Sequence, residues 1–97
     1  MRGQALSDAV AADFVYCDPT VRTVGVDELL SHIDAVCRRR PGSRVIRTGS
    51  ADCHHDVARF TWAALDAEER VLRKGVDVAT FDDEGRISAI VGFFDPI

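Results

Sequence analysis

The 97-residue chain has one lysine, Lys74, one tryptophan, one tyrosine and no surplus of positive charge. Its net charge of −4 argues against nucleic acid as the main partner, because a phosphate backbone is held by clustered cations. No apolar run is long enough to span a membrane, and no basic start followed by an apolar stretch reads as a signal peptide. Three cysteines (Cys17, Cys37 and Cys53) are an odd number at unrelated spacings, which gives no disulfide framework and suits reduced thiols in a cytoplasm. The seven glycines are scattered, so there is no phosphate-cradling loop, and no serine has a nucleophile-elbow context. Repeats, low-complexity tracts and linkers are also missing. The expectation is one small cytoplasmic domain over 1–97, with no membrane partner.

What is present is concentrated in the last quarter, Gly75 to Asp95. Two apolar runs flank Asp82-Asp83-Glu84-Gly85, a turn cluster suited to a β-hairpin. Pairing Phe81 with Arg86 sets Asp77 opposite Ile90 and Gly75 opposite Gly92. One face then carries Gly75, Asp77, Ala79, Ser88, Ile90, Gly92 and Phe94, small residues around one carboxylate. The other carries Val76, Val78, Ala89, Val91 and Phe93. Both faces are largely apolar, so the hairpin should be covered on both sides. The first face suggests a ligand hollow with an acid in its wall. The plainer alternative is a surface aspartate paired with an arginine.

Upstream, residues 1 to 13 have alanines and spaced apolar residues that predict a short helix. Phe14 to Asp18 reads as a strand stopped by Pro19, with Phe14, Tyr16 and Asp18 on one face. A helix follows from about Val26 to Arg40, with acids in its first turn, arginines in its last, and Pro41-Gly42 ending it. Val45 to Gly49 and Cys53 to Leu65 read as strands, the second placing His54, Asp56, Phe60 and Trp62 on one face. With Arg70 to Phe81 and the hairpin, these form an antiparallel meander packed on a helix, an α+β domain.

Cys53-His54-His55-Asp56 is the only cluster of metal-ligand residue types. On a strand only two of the four could reach one ion, too few for a zinc site, so no metal is expected. His54 and Asp56 could still reach the rim of a pocket. Two carboxylates remain, Asp18 and Asp77, each on a strand among apolar residues. Desolvation raises a carboxyl pKa, and a pair of acids with different environments can supply one base and one hydrogen-bond donor.

Those residues sit within a larger pattern. F-V-Y-C-D-P, G-V-D-E-L-L, R-F-T-W, G-V-D-V-A-T-F-D-D-E-G-R-I and the closing F-F resemble the nuclear transport factor 2-like superfamily, most nearly its SnoaL-like and ketosteroid isomerase branch. The resemblance runs from about Leu6 to Phe94. It implies a cone-shaped α+β fold, a strongly bent sheet wrapped around helices and an apolar cavity, with a homodimer through the sheet's outer face. By the same resemblance Asp18 falls on the general base and Asp77 on the acid that hydrogen-bonds the substrate oxygen. Phe94 falls on the aromatic at the pocket floor, and Phe60, Trp62, Ile90 and Gly92 face inward. Phe14 and Tyr16 complete the expected lining. The family's longer first helix, which in the isomerase supplies a tyrosine, has no counterpart in this reading, so the domain is expected to be short at its N-terminus and its cavity open on one side.

Two functions follow as expectations. One is a cofactor-free isomerase or cyclase acting on a small apolar molecule beside a carbonyl, with Asp18 as base. The other is a non-catalytic ligand-binding or dimeric assembly module.

Overall fold

The structure, a computed structural model, describes residues 8–94. Seven strands form one mixed sheet that curls against a helix, an α+β fold. The strands are β1 (Val10–Asp18), β2 (Val21–Val24), β3 (Arg44–Arg47), β4 (Asp52–His54), β5 (Val57–Leu65), β6 (Val71–Phe81) and β7 (Ile87–Phe94), and helix α1 is Val26–Arg39. The strand order is β2-β1-β7-β6-β5-β3, with β4 also paired to β5. All pairings are antiparallel except β1 with β7, which is parallel. The sheet is therefore not the purely antiparallel one expected: the chain leaves β1 through β2 and α1, and β7 later returns beside β1 in the same direction.

Several local expectations are corrected. Asp8 and Ala9 are helical, but the strand begins at Val10 and not after Asp13. The alanines there favour helix in isolation; burial of Val10 and Ala11, with Val10 opposite Ile87, overrides that preference. Residues 1–7 lie outside the described residues. β2 was not foreseen, because its four residues lie inside what reads as a loop. The expected strand from Cys53 to Leu65 is instead a hairpin, β4 and β5, joined by His55 and Asp56 at φ 47° and 62°. Positive φ at both central residues is what a tight two-residue hairpin turn demands, and neither residue is glycine. His54 and Asp56 therefore do not share a face with Phe60 and Trp62 along one strand. All four residues of the cluster are exposed. Among the described residues no group of three or more His, Cys, Asp or Glu could hold a metal ion.

The β6–β7 hairpin forms as expected but with a register two residues away. Asp77 faces Gly92 and Gly75 faces Phe94, with an irregularity between Thr80 and Phe81. The turn explains the slip. Asp82 N–H bonds the Arg86 carbonyl, Gly85 closes the turn at φ 79°, and the Asp82 side chain accepts from the Glu84 and Arg86 backbones. Asp66 to Arg70, between β5 and β6, repeats the same bonds around Glu69 at φ 69°.

Helix α1 packs on β1 and β2 at one end of the sheet. Its start is tied down by the Gly25 N–H on the Phe14 carbonyl and by Glu28 accepting from the Val24 N–H. Acids in its first turn and arginines in its last match the helix dipole. Val10, Phe14 and Leu29 form the core there, with Tyr16, Val26, Ile33, Ile87 and Ile90 packed around them. No helix among the described residues is long and apolar enough to cross a membrane.

Candidate functional site

The site follows from which residues share the face that carries α1. Tyr16 is the register partner of Ile90, and Cys17 that of Val91, so the next step along β1 and β7 sets Asp18 beside Gly92. Gly92 faces Asp77, and Asp77 faces Phe60. One row thus runs Asp18, Gly92, Asp77, Phe60 across four strands. A neighbouring row runs Phe94, Gly75, Trp62, Arg47. The even register slip left this face intact, since side chains alternate with a period of two.

Gly92 is the hinge of the arrangement. A Cβ there would stand 2.7 Å from Asp77 Oδ1 and 3.5 Å from Asp18 Cβ. Only a residue without a side chain lets the two carboxyls flank the same strand position. Gly75 has the matching role for Trp62, whose indole lies across it.

Among the described residues Asp77 receives one hydrogen bond, from Trp62 Nε1 at 2.9 Å. Burial pushes its carboxyl above the ordinary value; the indole bond pulls the other way, and the Asp18 charge adds to the rise. The expectation that Asp77 has only small neighbours missed this indole. A half-buried tryptophan seeking a partner for its N–H was the available signal.

Asp18 is better served. Oδ1 accepts from the Thr20 N–H at 2.8 Å and the Thr20 hydroxyl at 2.7 Å, and Oδ2 accepts from the Tyr16 hydroxyl at 2.7 Å. Burial alone would raise its pKa; the bonds from Thr20 and Tyr16, with His32 nearby, outweigh it and hold Asp18 below the ordinary value. Burial and the adjacent Asp18 carboxylate push the Tyr16 phenol far up, so it remains a donor. The Tyr16 and His32 rings lie 6.4 Å apart. Thr20 and His32 were not foreseen. Asp-Pro-Thr, with a hydroxyl two residues after the acid, was the local signal for the first; for the second, none precedes knowledge of how α1 docks.

The remaining expected residues divide. Trp62 and Phe94 meet edge to face at 5.8 Å, and the Arg73 guanidinium lies 4.3 Å from the Phe94 ring centre. Phe60, Trp62, Ile90 and Phe94 are half-buried on the site face. Phe14 is fully buried against Val10 and Leu29, inside the core. Chemically, the face offers one carboxylate stabilised as the anion and one favouring its proton, beside an aromatic wall.

No protein-family model matches the chain, and no curated protein matches it. Solved structures do. A candidate isomerase of the SnoaL-like family from Agrobacterium tumefaciens has a TM-score of 0.92 at 30% identity, over 98% of this chain and 81% of that one. A candidate SnoaL-like polyketide cyclase from Jannaschia has a TM-score of 0.76 at 10% identity, over 96% of this chain and 72% of that one. TerC, co-crystallized with polyporic acid, has a TM-score of 0.78 at 12% identity, over 96% of this chain and 78% of that one. The last two likenesses show the fold alone.

Proposed function

The chain belongs to the SnoaL-like branch of the nuclear transport factor 2-like superfamily, and from that premise we propose that it binds a small apolar carbonyl compound on the inner face of its sheet and moves a proton beside that carbonyl without a cofactor. The observation that carries this is the acid pair about Gly92, whose members are shifted in opposite directions. Between their two titrations Asp18 is ionised while Asp77 holds its proton. Trp62 occupies Asp77 Oδ1, so the neutral acid presents Oδ2–H to a ligand oxygen. Asp18 Oδ2, already accepting from Tyr16, keeps a lone pair for a carbon-bound proton. In the proposed step that proton passes to Asp18, and the C–H electron pair moves through the carbonyl to an enolate oxygen hydrogen-bonded by Asp77. Return of the proton to a different carbon gives the isomer, with no net redox change.

The test is turnover of a bicyclic β,γ-unsaturated ketone, followed by the absorbance of its conjugated product. Asp18→Asn should lower the rate by about 10²- to 10⁴-fold, the usual contribution of a positioned base. Asp77→Asn should cost less, since an amide still donates. Equal rates in wild type and Asp18→Asn would end the catalytic reading.

A second reading is favoured by one observation: the three donors on Asp18 weaken it as a base. On this reading the same face holds a ligand and does no chemistry. Ligand-dependent quenching of Trp62 fluorescence with no turnover would select it.

The outer face supports a homodimer. Phe93 is 54% exposed and Val91 37%, beside half-buried Val76 and Val78. Val91→Glu should shift a sedimenting dimer to monomer; a wild type that is monomeric at micromolar concentration would end this part.

A further inference from the structure

The chain is acidic overall, and most of its strand and turn arginines are neutralised. Arg44, Arg59, Arg70 and Arg86 each hold a carboxylate. Arg47 and Arg73 hold none among the described residues. Both stand on the site face, because Arg47 is the register partner of Trp62 and Arg73 lies two residues before Gly75 and four before Asp77 on β6. Of the other described arginines without an ion pair, Arg22 stands opposite Cys17 on the far face, and Arg39 and Arg40 end the helix. Among the described residues, two arginines without an ion pair thus flank one side of the aromatic wall on the site face, and Arg22 is on the opposite face.

The wall connects Arg73 to Asp77 by direct contact, and Arg47 stands beside Trp62 in the sheet register. Arg73 stacks on Phe94, Phe94 meets Trp62 edge to face, and Trp62 donates to Asp77. Four residues along a strand span roughly 13 Å, about the length of a two- to three-ring molecule. An anionic group could not sit at the other end, where the Asp18 carboxylate would repel it. The charges therefore fix one orientation, with the carbonyl toward the acids and the anion outward.

We propose that the ligand is a planar apolar compound bearing an acidic group, and that Arg73 and Arg47 bind that group at the outer end of the Trp62–Phe94 wall. The inference deepens the proposed function and rests on it, since it presumes that the inner face takes an apolar ligand at all. A guanidinium suits the purpose, being permanently charged, stacked on a ring, and able to fork onto two oxygens.

The experiment uses a matched pair of probes, 8-anilinonaphthalene-1-sulfonate and its neutral counterpart N-phenyl-1-naphthylamine. Binding is read by energy transfer from Trp62, the only tryptophan. The expected result is that wild type binds both, the sulfonate more tightly. Arg73→Gln and Arg47→Gln should each weaken the sulfonate by about three- to fivefold, the range for partly exposed ion pairs, and leave the neutral probe unchanged. Unchanged binding of the neutral probe also verifies that each variant is folded. If wild type holds the neutral probe as tightly as the sulfonate, or if the sulfonate's advantage survives both substitutions, the anion site is refuted while the apolar site stands. If neither probe accepts energy from Trp62, the apolar ligand site itself fails and the anion site with it.

Discussion

The end of β1 and the middle of β6 present the same side chain to the same face, and the two carboxyls behave oppositely. Asp18 lies at a strand end where the chain turns, and its donors are local: a backbone N–H and a hydroxyl two residues ahead, a phenol two residues behind. Asp77 lies mid-sheet between β5 and β7, and its one donor comes from fifteen residues away. Both are desolvated, and that is the largest influence on each. What separates them is the number of donors that offset it. A turn supplies unpaired backbone and short hydroxyls at once, whereas a mid-strand position has its backbone committed to neighbouring strands.

The comparison can be broken most severely at Gly92. Gly92→Ala drives a methyl onto Asp77 Oδ1 at 2.7 Å while leaving ordinary contact distance to Asp18. It should cost about 2 kcal/mol, as overpacking of a filled site does, seen as a lower urea midpoint. It should also displace the Trp62 hydrogen bond, changing the tryptophan emission, while the Asp18 cluster persists.

The next effect sets one acid against the other through pH. Asp18 has a folded pKa below the ordinary 3.8, so it adds stability above that value and loses it as pH falls through the folded pKa. Asp77 has a folded pKa above 3.8, so its contribution is full below that value and is lost as pH rises through the folded pKa. At pH 7 Asp18→Asn should therefore destabilise by about 1–2 kcal/mol, the worth of hydrogen bonds to a charged acceptor. Asp77→Asn should stabilise at pH 7, with the gain vanishing as pH is lowered through the folded pKa of Asp77. Thermal melts of both variants between pH 3 and 8 read the two slopes, which should have opposite signs.

The smallest effects sharpen the comparison without breaking it. Tyr16→Phe removes one of three donors from Asp18 and should raise its pKa toward the ordinary value, at a stability cost of about 1 kcal/mol or less. Trp62→Phe removes the one donor that Asp77 has among the described residues and should push that already raised pKa further up. Carboxyl chemical shifts followed against pH check both.

Much of this face could be read without coordinates, for a simple reason. Alternation assigns Gly92 and Phe94 to one side of β7 whatever the register, and Asp77 joins them for any register that differs by an even number, as the observed one does. The position of Asp18 on the same side as Tyr16 follows from the same rule. What lay beyond the sequence was pairing between distant segments. The parallel return of β7 beside β1 is what brings Asp18 next to Gly92, and no local pattern encodes it. The Trp62–Asp77 bond depends on the β5–β6 register, in which Trp62 faces Gly75 and its indole reaches one position along to the acid. At the chain's start, alanine-rich Val10 to Asp13 favours helix locally and becomes strand because β7 offers it an edge. The His55-Asp56 turn carries no glycine or asparagine to announce it.

The most direct measurement is a carbon-13 NMR titration of the side-chain carboxyls, with Asp18 and Asp77 assigned by the resonances that disappear in Asp18→Asn and Asp77→Asn. The expected result is that Asp18 titrates below a free aspartate and Asp77 above it, leaving a pH interval in which one is ionised and the other is not. Coincident titrations, or Asp77 below Asp18, would contradict the opposed pair on which the proposed function rests.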